Sequence, residues 1–137
     1  MSLKLVYPGK DTQELVKSTS DDWIIAGPIR ATIYLTGVRH LLSPKSFKIV
    51  GPNYFFKDKT MFPPMDLDNP WITWAAQSDG NYSWLYYYAT DMVEEYVRRF
   101  NNKPYIVSRL SLVEDIPNEV PEGDMVEPLF AAGEVFS

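Results

Sequence analysis

The sequence predicts a mainly α-helical fold: a single compact helical domain with a short N-terminal strand and one long ordered loop. Three observations carry this. At 137 residues and 15% aromatic content, the chain can bury a real core without staples. Two long segments, near residues 28–42 and 81–100, repeat apolar residues at helical spacing. Between them, residues 43–68 hold four Pro and one Gly, together with several rings. That composition reads as a loop that is held down, not one that is free.

In chain order, Leu3 to Tyr7 reads as a strand stopped by Pro8-Gly9. Asp11 and Glu14 have capping-box spacing, which opens a short helix to about residue 17. The "STSDD" run is a second cap cluster, and a helix is expected from Pro28 or shortly before. Ile29, Ile33, Val38, Leu41 and Leu42 should face the core, and Gly37 suits a close helix crossing. The Pro-rich stretch 43–68 reads as loop with short extended pieces. Asn69 then caps a helix with Pro70 in its first turn, and Asp79-Gly80 breaks it. Asn81 caps the long helix. There Leu85, Tyr88, Ala89, Met92, Val93, Tyr96 and Phe100 form the inward stripe, opposite Ser83, Thr90, Asp91, Glu94, Glu95, Arg98 and Arg99. Tyr86 and Tyr87 fit neither face cleanly and are candidates for a wet, stacking surface. Two units follow: a helical core, 1–110, and an acidic C-terminal arm, 111–137, docked or partner-binding.

Charge is unevenly spread. Eleven acids against 13 bases leave +2 in residues 1–110, whereas seven acids and no base leave −7 in the remainder. The absence of cysteine excludes disulfides, thiolate catalysis and Cys-ligated zinc, and a lone His40 excludes a His-rich metal site. No metal and no cofactor is expected; the lack of a Gly-rich phosphate loop argues against nucleotide hydrolysis, and no nucleophile elbow marks a Ser-His-Asp set. No apolar run approaches the roughly 20 residues of a membrane span, and the start lacks a signal-peptide core. The expectation is a cytoplasmic protein with no membrane association.

The segment "NPWITWAAQSDGNYSWL…EEYVRRF" resembles small phage-encoded proteins labelled pyrimidine-dimer DNA glycosylases. Their shared pattern runs approximately H-P-x-x-x-W-x-R-x-S-x-x-N-Y-x-W-L, then E-Y-x-x-R. It is matched at Pro70, Trp74, Ser78, Asn81, Tyr82, Trp84, Leu85, Glu95, Tyr96 and Arg99. The pattern's His and Arg are Asn69 and Ala76 here, and its later His falls near Pro104 and Tyr105. The resemblance implies a DNA-associated protein of the infected host's cytoplasm, acting in base excision or base modification. Such an enzyme needs an amine to attack the sugar and a carboxylate to move protons. Ser2, exposed when Met1 is removed, supplies a candidate α-amine with an ordinary pKa of about 7.7–8.0. Glu95 is the candidate carboxylate. The plainer reading makes Glu94–Arg98 and Glu95–Arg99 helix-surface ion pairs.

The best candidate for nucleic-acid contact is the loop itself. Lys45, Lys48, Lys57 and Lys59 alternate with Phe47, Tyr54, Phe55, Phe56 and Phe62. Lysines can follow phosphates while rings stack bases. Tyr87, Arg98 and Arg99 are expected beside it. Equally, the rings can pack on the core while the lysines keep the loop soluble. A second function class stays open: a non-catalytic protein that binds a host or phage protein through its acidic C-terminal segment. Oligomeric state is not legible.

Overall fold

The computed structural model describes residues 11–63 and 66–128. The expected N-terminal strand lies outside them. Five helices and one small antiparallel sheet make up the described fold: α1 (Asp11–Lys17), α2 (Asp21–Leu42), β1 (Phe47–Val50), β2 (Asn53–Phe56), β3 (Lys59–Met61), α3 (Pro70–Ala75), α4 (Asp79–Phe100) and α5 (Val107–Leu110). The mainly α-helical fold is as the sequence predicts. No described helix is long and apolar enough to cross a membrane.

α2 and α4 form the spine and run antiparallel. Arg39, late in α2, meets Tyr82, early in α4, while Asp21 meets Arg99 at the other end. α1 and α3 pack on this pair. Trp71, Trp74 and Trp84 are all buried, with Trp74 edge-on to the other two at 5.5 and 5.8 Å between centroids. Gly37 is the close approach between α2 and α3. A Cβ there would stand 2.5 Å from Ile72 Cδ1, so only glycine fits without movement.

α2 begins earlier than its proline suggests. Ser20 is the N-cap, accepting from Trp23 N–H at 3.4 Å, and Pro28 lies inside the helix. Pro28 has no N–H to offer the preceding turn. The helix nevertheless continues, with Gly27, Pro28 and Ala31 buried, and Thr32 donates its hydroxyl to the Pro28 carbonyl at 2.7 Å. The stripe that faces inward differs from the expected one. Ile24, Ala31, Leu35 and Val38 are fully buried, Ile29, Ile33 and Leu42 are half-buried, and Leu41 is exposed. At α4 the cap is Ser78, which accepts from Asn81 N–H at 3.1 Å, so Asp79-Gly80 opens this helix. Asn81 is buried, and its side chain works elsewhere. Asp91 and Glu95, expected on the wet face, are buried as well.

The short extended pieces expected in the Pro-rich stretch are present and pair into a three-stranded meander. Phe47 pairs with Phe56 and Lys48 with Phe55, while Phe55 pairs with Thr60. Two-residue turns join the strands. Gly51 supplies the positive φ (+59°) of the first, as the first central position of a type II′ turn requires. Lys57 and Asp58 supply φ of 52° and 62° for the second, the pair of left-handed residues that a type I′ turn needs. Phe47, Phe56 and Met61 point inward and join the core.

Candidate nucleic-acid interface

The meander sorts the basic and aromatic residues by strand parity, because neighbouring side chains point to opposite faces. Phe47 and Phe56 are buried and offer no free stacking face, and Tyr54 is half-buried with its ring edge-on to His40. The outer face carries the cross-strand row Lys48, Phe55 and Thr60, each step about 5 Å apart. Lys48 and Thr60 are exposed there and Phe55 is half-buried.

This row leads into a cleft of about 460 Å³ lined by Lys59, Thr60, Ser108, Arg109, Ser111 and Leu112. Arg109 comes from α5, which packs beside β3. Its guanidinium lies 4.5 Å from the centre of the Phe62 ring and 5.8 Å from that of Tyr105, both within cation–π range. Lys48, Lys59 and Arg109 have no carboxylate within ion-pair distance among the described residues. Two such cations in one cleft, Lys59 and Arg109, with hydroxyls and rings beside them and Lys48 on the adjoining face, suit a polyanion that also has flat groups. Lys59 was read from the sequence. Arg109, Tyr105 and Ser108 were not, because they belong to no motif and only the packing of α5 on β3 brings them in.

The other predicted contacts are not brought to this face. Lys57 donates to Asp115 at 3.1 Å and lies over the Phe56 ring, so it ties the C-terminal segment to the sheet. Although partial burial opposes it, that hydrogen bond and the nearby Arg39 charge hold the Asp115 carboxyl below its usual range. Lys45 lines a separate hollow with Ser43 and Glu119, whose side chains are hydrogen-bonded to each other. Tyr87 is exposed and edge-on to Tyr86. The Tyr86 phenol is pushed up by burial and by the Glu114 charge, so this pair borders an acid. Arg98 and Arg99 sit at the end of the spine away from Arg39 and are engaged there by Glu95, and Arg99 also by Asp21.

At that far end Glu95 is a clamp. Arg98 Nε donates to Oε1 at 3.0 Å and Arg99 Nε to Oε2 at 2.6 Å; the Glu94–Arg98 pair expected from spacing is replaced by Glu95–Arg98. Arg99 also donates to the carbonyls of Val16, Lys17 and Thr19 and to Asp21. It thereby satisfies the open carbonyl end of α1 and fixes the turn into α2. The hydrogen bonds from Arg98, then Arg99, hold the Glu95 carboxyl below its usual range, so it stays charged and orients helices. One turn away, Asp91 accepts from the Thr12 hydroxyl, and burial pushes its carboxyl up. The two carboxylates border a hollow of about 250 Å³ with Lys17 and Arg98. Ser2 lies outside the described residues. Among the described residues, no cluster of His, Cys, Asp and Glu is suited to a metal ion.

The positions behind the resemblance are chiefly structural in this chain. Tyr82 is fully buried, donates to the Val113 carbonyl at 2.6 Å and accepts from Arg39; burial pushes its phenol up to about 12. Asn81 donates to the Trp74 carbonyl and accepts from Val126 N–H, each at 2.8 Å, and Trp74 Nε1 donates to the Val126 carbonyl. Trp84 is fully buried, and Tyr96 packs on Phe100 at 4.8 Å. No protein-family model, curated protein or solved structure matches the chain.

Proposed function

We propose that the protein binds DNA, in single-stranded form, through the outer face of the sheet and the adjoining Lys59–Arg109 cleft. One observation supports the reading: Lys59 and Arg109, neither with a carboxylate partner among the described residues, line one cleft beside Phe62 and Tyr105, and Thr60 of that cleft continues into the outer-face row of Phe55 and Lys48. Phosphates would follow Lys48, Lys59 and Arg109. Bases would meet rings, and a single strand leaves its base faces free to do so. The reading is one of binding. The base-excision or base-modification class that the resemblance implies would need Ser2 and a proton carrier, and Glu95 is committed to two arginines.

Replacing Lys59 and Arg109 together by Glu tests it. Each lost phosphate contact should lower the salt dependence of binding to a single strand by about 0.7 in log–log slope. Affinity for a labelled single-stranded oligonucleotide should fall at least tenfold at low salt. An unchanged affinity in a folded double variant would remove this face from consideration. The protein-binding alternative rests on Glu114, Glu122 and Asp124, which are exposed in the C-terminal segment; it would then take precedence.

A further inference from the structure

Behind Tyr105 lies a second cleft, of about 420 Å³, whose lining includes Ile25, Ile29, Tyr96, Asn102, Lys103 and Tyr105. It exists because of how α4 ends. Asn101 adopts the left-handed conformation (φ 57°, ψ 32°) and turns the chain out of the helix. Residues 102–105 then cross the first turns of α2, and Ile106 is fully buried as their anchor. Val107 N–H bonds to the Pro104 carbonyl at 3.3 Å, and the Ser108 hydroxyl to that of Tyr105 at 3.3 Å. The backbone around Tyr105 is therefore pinned while its ring stays 64% exposed.

We infer that this cleft receives an unstacked nucleobase from the strand whose phosphates lie on Lys59 and Arg109, an inference that rests on the DNA-binding reading above. Tyr105 links the two clefts: Arg109, which lines the first, lies 5.8 Å from its ring centre, and Tyr105 is among the residues that line the second. A strand on the cation row is thus one ring away from an aliphatic floor, Ile25 and Ile29. A base is flat and apolar on its faces and polar at its edge, and the cleft has the matching parts. Tyr105 and the isoleucines offer surfaces for the faces. The Asn102 amide can both donate and accept at the edge, and Lys103 can donate. A bare phosphate would have no use for the isoleucine floor, and an aliphatic ligand none for the amide.

The test compares the whole chain on two labelled single strands of equal length, one with bases and one made largely of abasic sites. Wild type should bind the strand with bases more tightly. Tyr105→Ala should lose about 5- to 100-fold on that strand, the range of one base–aromatic stack, and nothing on the abasic one. Ile25→Trp fills the cleft from an exposed position with Tyr105 intact and should lose a similar factor on the same strand only. Equal binding of both strands by wild type overturns the base cleft but leaves the phosphate row standing. So does retention of full affinity by both variants, or equal weakening on both strands. If wild type binds neither strand, the DNA reading itself fails and the inference falls with it.

Discussion

His40 stacks on Phe47 with ring centres 3.7 Å apart, and its Nε2 is buried without a hydrogen-bond partner. Burial lowers its pKa below the usual 6.5. The unfolded chain therefore takes up the proton first as pH falls, so the stability held by neutral His40 is complete above pH 6.5 and drains away below it. The melting temperature should drop between pH 7.5 and 5.5, and that drop should shrink in His40→Phe, measured side by side. An identical pH profile in the variant would mean that the imidazole has no such role. Carboxylates act in a different window. Glu95 and Asp115 have lowered values, so their contribution is present above about pH 4.5 and is lost under more acidic conditions. Asp91 has the opposite sign. Its raised pKa makes the charged form costly near neutrality, while Asn could still accept from Thr12. Glu95→Gln should cost about 1.5–3 kcal/mol, the usual worth of hydrogen bonds to a charged group, read by denaturant unfolding at pH 7.

At the scale of elements, helices were legible where a cap and a stripe agreed, as with Asn69-Pro70 in α3 and the Leu85–Tyr88–Met92 stripe of α4. The start of α2 was read late because Pro28 suits a first turn, although the STSDD cap cluster holds the actual N-cap, Ser20; Pro28 lies inside at the cost of one backbone hydrogen bond. The pairing of the expected extended pieces into a sheet was not legible, for a different reason. Its strands have four, four and three residues, too few to show an alternation, and adjacent Phe55 and Phe56 hide which face is wet. The second turn also lacks the Asn-Gly or Asp-Gly signal; Lys57-Asp58 adopts the same shape at a conformational cost. Asp58→Gly should therefore raise stability by about 0.5–1 kcal/mol in chemical denaturation. A loss of stability would show that the side chain of Asp58 holds the turn. The candidate site was half legible for the same reason: Lys48 and Lys59 stood in a basic, aromatic run, but which ring faces out depends on register, and Arg109 depends on tertiary packing.

For the whole molecule, the C-terminal segment is the seal. Its described part, residues 111–128, folds back over the start of α4. The Pro121 and Gly123 carbonyls accept from Asp79 and Gly80 N–H at 2.8 and 3.0 Å, which satisfies donors that a helix start leaves open. Asp115 binds Arg39 and Lys57, and Val120 and Pro128 are buried. An arm that could be removed with the fold intact is not what these contacts describe. A chain ending at residue 113 should melt at lower temperature, with red-shifted Trp emission as the Trp74 partner is lost. Gly80 gives a finer probe, because a Cβ there would stand 2.4 Å from Met125 N and 2.6 Å from the Gly123 carbonyl oxygen. Gly80→Ala should cost about 1–3 kcal/mol and open the segment to protease. Closing this end internally engages Asp115 with Arg39 and Lys57, whereas Lys59 and Arg109 share a cleft with no carboxylate in ion-pair range among the described residues. The direct measurement is a titration of wild-type protein with single-stranded and double-stranded DNA across rising salt, followed by intrinsic Trp fluorescence. Saturable binding to the single strand, with a log–log salt slope near −2 for about three phosphate contacts at −0.7 each, is the predicted result. The absence of any binding at low salt, where such contacts are strongest, would contradict the DNA-binding account.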